Sequence, residues 1–176
     1  MAEIRVLDRE FFARDALEVA PELVGKVLVR TLEDGTELRE RIAETEVYRG
    51  EEDLGCHASK GRTKRTELLY GESGVVYVYL CYGMHWLMNV VTGKADQPQG
   101  VLFRAGEVHS GPAKLTKFLS VDGCFNGESF CGNPRIRIED DGFRPEIITA
   151  PRVGIDYAGD YWKSIEWRYI AKRSKL

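Results

Sequence analysis

Glu46 is the residue whose type and setting first suggest chemistry. The stretch Thr36–Tyr48 predicts a β-strand, and period-two alternation places Ile42, Glu44, Glu46 and Tyr48 on one face. A carboxylate with apolar and aromatic neighbours can take a proton from a water molecule, so Glu46 is a candidate general base. The alternative is an ordinary strand glutamate paired with a cation, which is the commoner case for an arbitrary residue of this kind.

An apolar stretch rich in tyrosine follows further along the chain. It covers Val76–Val91 and reads VYVYLCYGMHWLMNVV, with Tyr77 and Tyr79 on one face of a predicted strand. Four of the eight tyrosines fall within residues 70–82, which is denser than core packing requires. Each ring alone could be an ordinary core residue. Because tyrosine faces also stack on flat ligands and attract cations, the stretch indicates a pocket for a flat ligand.

The segment His57–Arg65 (HASKGRTKR) carries four lysines and arginines and no acid. Such a loop can bind phosphates, although a solvated loop is the commoner explanation of charge alone. His57 by itself is more often a structural or surface residue than a catalytic one. Arg104 is harder to dismiss, because its predicted strand Val101–Ala105 is otherwise apolar. A buried guanidinium needs an anionic or polar partner, and Glu46 is a candidate.

The composition is that of an ordinary globular protein. The chain has 176 residues, of which 43% are hydrophobic and 30% charged, and this predicts one domain over residues 1–176. The formal charge of −3 argues mildly against a nucleic-acid partner. No apolar run reaches the roughly 18 residues of a membrane span, and the first residues lack an apolar signal core. A cytoplasmic protein without a membrane partner is therefore expected.

The cysteines and histidines do not suggest a metal site. Cys56, Cys81, Cys124 and Cys131 lack the paired close spacings of zinc ligands, and the three histidines do not form a metal triad by spacing. Reduced thiols are the default for a cytosolic protein. A disulfide between Cys124 and Cys131 remains open as the less favoured alternative.

Hydrophobic periodicity and turn residues predict the elements that position these residues. A first helix is expected over Asp8–Val19, capped by Asp8 and ended by Pro21. A hairpin follows, with strands Lys26–Leu32 and Thr36–Tyr48 joined by a turn at Gly35. Next come a central buried strand Val75–Leu80, a bend at Tyr82-Gly83, and strands Leu87–Thr92 and Val101–Ala105. A second helix is expected from Pro112 to about Leu119. Irregular structure with short strands is expected over Asp122–Pro151, and sheet elements are expected at Arg152–Gly154 and Trp167–Ala171.

In these stretches the chain resembles the 3-methyladenine (alkyladenine) DNA glycosylases of the mammalian type, which are also widespread in bacteria. The resemblance covers most of the chain, and the order and spacing of the motifs argue against chance similarity. The matching motifs are LVGKVLVR (Leu23–Arg30), ETEVY (Glu44–Tyr48), His57 nine residues later, VYVYLCYGMHWLMNVV (Val76–Val91), LFRA (Leu102–Ala105), GPAKL (Gly111–Leu115) and RVG (Arg152–Gly154).

The resemblance implies an α+β fold, with a single mixed domain built on a curved, mainly antiparallel sheet with flanking helices. It implies no helix-hairpin-helix motif, no cofactor and no metal ion. The implied reaction is the extrusion of a damaged purine from double-stranded DNA and hydrolysis of its N-glycosidic bond, which leaves an abasic site. The lesions would be of the 3-methyladenine, 7-methylguanine, hypoxanthine or ethenoadenine type. A monomeric enzyme is expected.

The resemblance also implies a role for each matching residue. Glu46 would be the general base, and Arg104 would help hold the attacking water together with a main-chain carbonyl near Ile170. The remaining roles would fall to Tyr48, His57 and Tyr79 for stacking the base, Asn89 for screening exocyclic groups, Tyr82 and Met84 for intercalation, and Arg65 and Lys114 for phosphate binding.

Two other functions would use the same residues differently. A nucleic-acid-binding module of this fold without catalysis would not need both Glu46 and Arg104. A hydrolase of free nucleosides would not need a basic loop or an exposed wedge at Tyr82. The chain also departs from the family pattern, with Thr63-Lys64-Arg65-Thr66 where T-P-R-N is usual, and with glycine at position 106.

Overall fold

The computed structural model describes residues 3–173, in which nine strands form one open sheet. The strands are β1 (Arg5–Val6), β2 (Val27–Thr31), β3 (Glu37–Arg49), β4 (Val76–Cys81), β5 (His85–Val91), β6 (Gln99–Gly106), β7 (Ile136–Asp140), β8 (Ile147–Ala150) and β9 (Arg168–Ala171). The α-helices are α1 (Arg9–Phe12), α2 (Ala16–Leu23), α3 (Pro112–Phe118) and α4 (Gly159–Ser164).

The strands follow the order β1-β7-β2-β3-β6-β5-β4, and β9 pairs with both β3 and β8. Every strand pairing within the described residues is antiparallel. Helix α2 packs against β3, and α3 packs against β5 and β6. The predicted α+β fold on a mainly antiparallel sheet is confirmed.

Strand β3 joins the two halves of the sheet. Its first residues pair with β2, and from Ile42 onward it pairs with β6 on one edge, while β9 pairs with Glu44–Glu46. The register shifts between Ile42 and Thr45, as in a β-bulge, and Ile42 lies in the main core together with Val47. The prediction that Ile42 shares a face with Glu46 is therefore wrong, because an extra residue reverses the alternation of side chains.

The N-terminal helical region differs from the prediction of one helix. Two short helices form instead, because Asp8 and Asp15 each accept a hydrogen bond from a backbone N–H of the turn that follows. Helix α2 also continues through Pro21 to Leu23. A proline here removes one intrahelical hydrogen bond, and the burial of the apolar face of α2 compensates for it.

Strand β4 lies at the end of the sheet, so the prediction of a central strand is wrong. Its outer edge is covered by the segment 126–129, in which Glu128 O accepts from Val76 N–H at 2.7 Å. Asn126 Oδ1 accepts from Val78 N–H at 2.9 Å. Both faces of β4 are apolar because Val76 and Val78 enter the main core, whereas Tyr77 and its neighbour two residues on join a second cluster.

Several other expectations for the described residues are met. The β2–β3 hairpin, the bend after β4, the start of α3 at Pro112 and strand β9 are present. All four cysteines are free, so Cys124 and Cys131 do not form a disulfide. Among residues 3–173, no helix has the length and apolar character needed to cross a lipid bilayer.

Candidate active site

A cavity of about 630 Å³ opens beside the C-terminal half of β3. Its size falls in the range of roughly 300–1,000 Å³ that is usual for small-molecule sites. The wall is formed by β3, β4, β5 and β6, by the loop before His57 and by the segment 153–157. The predicted residues that line it are Glu46, Tyr48, His57, Arg65, Tyr79, Tyr82, Asn89 and Arg104.

Glu46 is fully buried at this cavity, and its carboxylate has three polar partners. The Tyr48 hydroxyl donates to Oε2 at 2.7 Å, and the backbone N–H of Val153 donates to Oε1 at 3.2 Å. Arg104 Nε lies 3.2 Å from Oε1, which confirms the predicted pairing. Burial raises the pKa of Glu46, while these partners act against the rise. The arrangement holds a carboxylate in fixed orientation with a proton affinity above that of an exposed glutamate.

Aromatic rings form one wall of the cavity. The ring centroids of His57 and Tyr79 are 4.6 Å apart, and those of Tyr77 and Tyr79 are 5.6 Å apart. The Tyr77 hydroxyl lies 3.0 Å from His57 Nδ1. Burial, with a smaller effect of the Arg65 guanidinium, lowers the pKa of His57 to about 4. His57 is therefore a neutral ring at physiological pH, suited to stacking and not to proton transfer.

Tyr48 is held from behind by a buried ion pair. The Arg152 guanidinium lies 4.9 Å from the Tyr48 ring and binds the Asp53 carboxylate through two hydrogen bonds of 2.7 and 2.9 Å. Both side chains of this pair are fully buried. Arg152 also donates to the carbonyl of Val47 at 2.9 Å. The pair thereby joins β3, the loop before His57 and the segment that carries Val153.

Tyr82 is the most exposed of these residues, with 89% of its surface accessible. It occupies the turn between β4 and β5, where Tyr82 and Gly83 have φ values of 51° and 66°. A non-glycine residue in this left-handed region is strained, and such strain often marks functional sites. Met84 follows in the same turn and is 71% exposed. The turn thus projects two apolar side chains into solvent, and Met84 is outside the cavity lining.

Comparison with known proteins identifies the family. The family model described as "Methylpurine-DNA glycosylase (MPG)" matches residues 10–111 and 107–175. The chain belongs to this family. Membership places it among DNA glycosylases, which act on DNA as hydrolases in DNA repair.

Curated relatives are similar to this chain over nearly its full length. A protein of Natranaerobius thermophilus is 42% identical over 94% of this chain and 95% of its own length. A protein of Methanocella arvoryzae is 41% identical over 96% of this chain and 94% of its own length. A protein of Psychrobacter cryohalolentis is 42% identical over 94% of this chain and 91% of its own length. All three carry the name "Putative 3-methyladenine DNA glycosylase".

In this member of the methylpurine-DNA glycosylase family, two of the remaining predicted polar residues line the cavity and one lies outside it. Asn89 is buried at the cavity and donates through Nδ2 to the carbonyl of Tyr77 at 3.1 Å. Arg65 lines the cavity, with its guanidinium carbon 5.4 Å from the centre of the Tyr79 ring. Lys114 is exposed on α3 and is not part of the cavity lining, although Pro112 and its neighbour Ala113 are.

The segment after Pro151 was assigned incorrectly from the sequence. Arg152–Gly154 does not form a sheet element; Arg152 is buried in its ion pair, and Val153 and Gly154 line the cavity. The backbone group that contacts Glu46 is the N–H of Val153. Ile170, near which the resemblance implied a main-chain carbonyl for the attacking water, is paired in the β3–β9–β8 ladders and is outside the cavity lining. The RVG motif (Arg152–Gly154) was the available signal for this wall, but it was interpreted as an element of the sheet.

Proposed function

We propose that this glycosylase excises alkylated or deaminated purines from double-stranded DNA without cutting the backbone. The observation that carries the proposal is a buried carboxylate, Glu46, paired with Arg104 at a cavity walled by aromatic rings. The names of the relatives support 3-methyladenine as one such lesion. The base would be extruded from the duplex into the cavity, because its glycosidic bond is out of reach within the base stack.

In the proposed reaction Glu46 acts as the general base. Oε1 is occupied by Val153 N–H and Arg104, whereas Oε2 accepts one hydrogen bond within the described residues and so has a further lone pair for a water. The water oxygen bonds to C1′ of the sugar, the base leaves with the electrons of the C1′–N bond, and Glu46 takes the water proton. The carboxylate also stabilises the positive charge that develops on the sugar.

The aromatic wall explains how a damaged base would be held. Tyr48, His57 and Tyr79 would stack on the base, and the neutral state of His57 avoids repulsion of a cationic N-alkylated purine. Asn89 lies at the cavity wall, where it would screen the exocyclic groups of the purine. An N-alkylated purine is a good leaving group because it already carries positive charge, so this site needs mainly a water, a base and a complementary cage.

Tyr82 would fill the gap that the extruded base leaves, with Met84 beside it. Replacing Tyr82 by Asn removes the ring and keeps a residue that tolerates the left-handed turn. We expect affinity for a lesion-containing duplex to fall about tenfold, measured by fluorescence anisotropy, because stacking on a base contributes roughly 1–3 kcal/mol. Tyr82→Phe is expected to bind like the wild type. The exposed Val108, outside the cavity lining, provides a control as Val108→Ala, and an equal loss in this control would rule out the wedge role.

Lys114 and Arg65 would contact phosphates on either side of the extruded nucleotide. Binding is therefore expected to weaken steeply with added salt, because phosphate contacts release counterions. Lys114→Ala should reduce the slope of log K against log salt by about one, since one contact is lost. Lys172→Ala, which removes a cation already paired with Glu146 at 2.8 Å, serves as the control. An unchanged slope in Lys114→Ala would exclude Lys114 from the phosphate contacts.

The proposed function is tested by base release from duplex oligonucleotides that carry a single hypoxanthine, ethenoadenine or N-methylated purine. Release of at least one lesion, with the corresponding free nucleoside uncleaved, is the expected result. Cleavage of the free nucleoside instead would indicate a nucleoside hydrolase. Binding without release of any lesion would indicate a non-catalytic DNA-binding module. A monomeric state and a cytoplasmic location remain predictions.

A further inference from the structure

Exposed apolar side chains surround the mouth of the cavity. Leu80 and Tyr82 come from the β4–β5 hairpin, with 41% and 89% of their surfaces exposed. Val153 and Tyr157 come from the segment after Pro151, with 46% and 71% exposed. All four also line the cavity. Exposed apolar groups grouped around an opening mark a contact surface, and the roles proposed above use only the hairpin side of it.

Tyr157 is fixed at this opening although its ring is exposed. Its hydroxyl donates to the carbonyl of Gly55 at 3.2 Å, two residues before His57. Its neighbours Ile155 and Ala158 are buried, so the backbone on both sides of the ring is anchored. Tyr157 therefore links the loop that carries His57 to the segment that carries Val153. A ring held in this way loses little conformational freedom when it contacts a ligand.

The position of the ring identifies what it would contact. If the base lies inside the cavity with C1′ near Glu46, the deoxyribose would lie between the cavity and the duplex, that is, at the mouth. Tyr157 belongs to the cavity wall and to the solvent-exposed surface at once. The apolar face of a deoxyribose and the face of an aromatic ring are complementary surfaces.

We propose that Tyr157 is a positioning residue that packs against the deoxyribose of the extruded nucleotide, an inference that rests on the proposed function. Val153 lies on the same segment and donates its N–H to Glu46. The contact would therefore fix the positions of the sugar and of the Glu46 carboxylate from the same backbone segment. Removing the ring weakens the extruded state and misaligns C1′ with the general base.

The test uses a duplex that contains a tetrahydrofuran abasic analogue, which keeps the sugar and lacks the base. Tyr157→Ala is expected to bind both this duplex and an ethenoadenine duplex about fivefold to tenfold more weakly than the wild type. Tyr48→Ala is expected to lose affinity for the ethenoadenine duplex alone, because its ring faces the base. Inhibition by the free ethenoadenine base should be unchanged in Tyr157→Ala and weakened in Tyr48→Ala.

Tyr161→Ala is the matched control. Tyr161 is 70% exposed, lies four residues beyond Tyr157, packs on Trp162 and is outside the cavity lining. Its replacement is expected to leave binding of both duplexes unchanged. Thermal unfolding of each variant checks that the fold is retained.

Three results would overturn the proposal. They are unchanged affinity of Tyr157→Ala for the abasic-analogue duplex, equal losses in the Tyr157 and Tyr161 variants, and weaker inhibition of Tyr157→Ala by the free base. A wild-type protein that binds the abasic analogue more tightly than undamaged duplex, but releases no base, refutes the proposed function alone. The Tyr157 contact is then still decided by the binding comparison.

Discussion

Glu46→Gln is expected to bind lesion-containing duplex and to release its base about 100-fold to 10,000-fold more slowly than the wild type. The magnitude is that of a lost general base. Glutamine occupies nearly the same volume, and its carbonyl oxygen can still accept the hydrogen bond from Val153 N–H. The measurement is single-turnover base release from a lesion duplex, with affinity determined separately. Undiminished release would remove Glu46 as the base.

Glu44→Gln is the matched control for this change. Glu44 lies two residues away on β3, pairs with Arg168 at 3.3 Å and does not line the cavity, so release should be unaffected. Reduced stability of Glu46→Gln is not expected to account for its slower base release. Burial raises the pKa of Glu46 in the folded state above its unfolded value, so the stability that the protonated form provides is present below the unfolded pKa and is lost as the pH rises through the folded pKa. The neutral glutamine is therefore not expected to lower stability at neutral pH.

The same shift predicts the pH dependence of base release. A general base must be ionised, so activity falls as the pH drops through the pKa of Glu46. Because burial raises that pKa above 4.5, the acidic limb should lie above the value of an ordinary glutamate. His57, with a pKa lowered to about 4, is expected to stay neutral over most of this limb. A limb centred at or below 4.5 would contradict the structural argument.

Arg152→Met is expected to reduce the free energy of unfolding by about 3–5 kcal/mol, measured by urea denaturation. Breaking a buried ion pair leaves the partner, Asp53, charged in a site without solvent. Among residues 3–173, Asp53 would keep only its hydrogen bonds from the backbone N–H groups of Arg49 and Gly55, at 3.0 and 2.9 Å. The guanidinium contacts with the rings of Tyr48 and Trp167 would also be lost.

An exposed ion pair provides the comparison. Arg14 binds Glu22 at 2.8 Å near the surface, so Arg14→Met should cost less than about 1 kcal/mol. The double variant Asp53→Asn/Arg152→Met should lose less than the sum of its two single variants, because it leaves no unpaired charge. Equal losses in Arg14→Met and Arg152→Met, or strict additivity, would show that burial of the pair has no special importance.

The sequence predicted most of the elements that carry the site. The β2–β3 hairpin and the start of α3 follow from local turn and helix-capping chemistry, which acts between neighbouring residues. The pairing of Glu46 with Arg104 could also be predicted, because a guanidinium in an apolar strand requires an anion. The errors arose where local preference did not decide the outcome. Strand β4 reads as central, yet it is an edge strand covered by the segment 126–129.

The residues by themselves thus determined the chemistry available to this protein, namely a carboxylate, a guanidinium and a set of aromatic rings on adjacent strands. Only the tertiary structure decided how they meet. A bulge in β3 separates Ile42 from the face of Glu46, and the long-range Asp53–Arg152 pair brings Val153 and Tyr157 to the cavity. Contacts between residues about 100 positions apart leave no periodic signal in a sequence, because their energy depends on burial that exists only once the chain has folded.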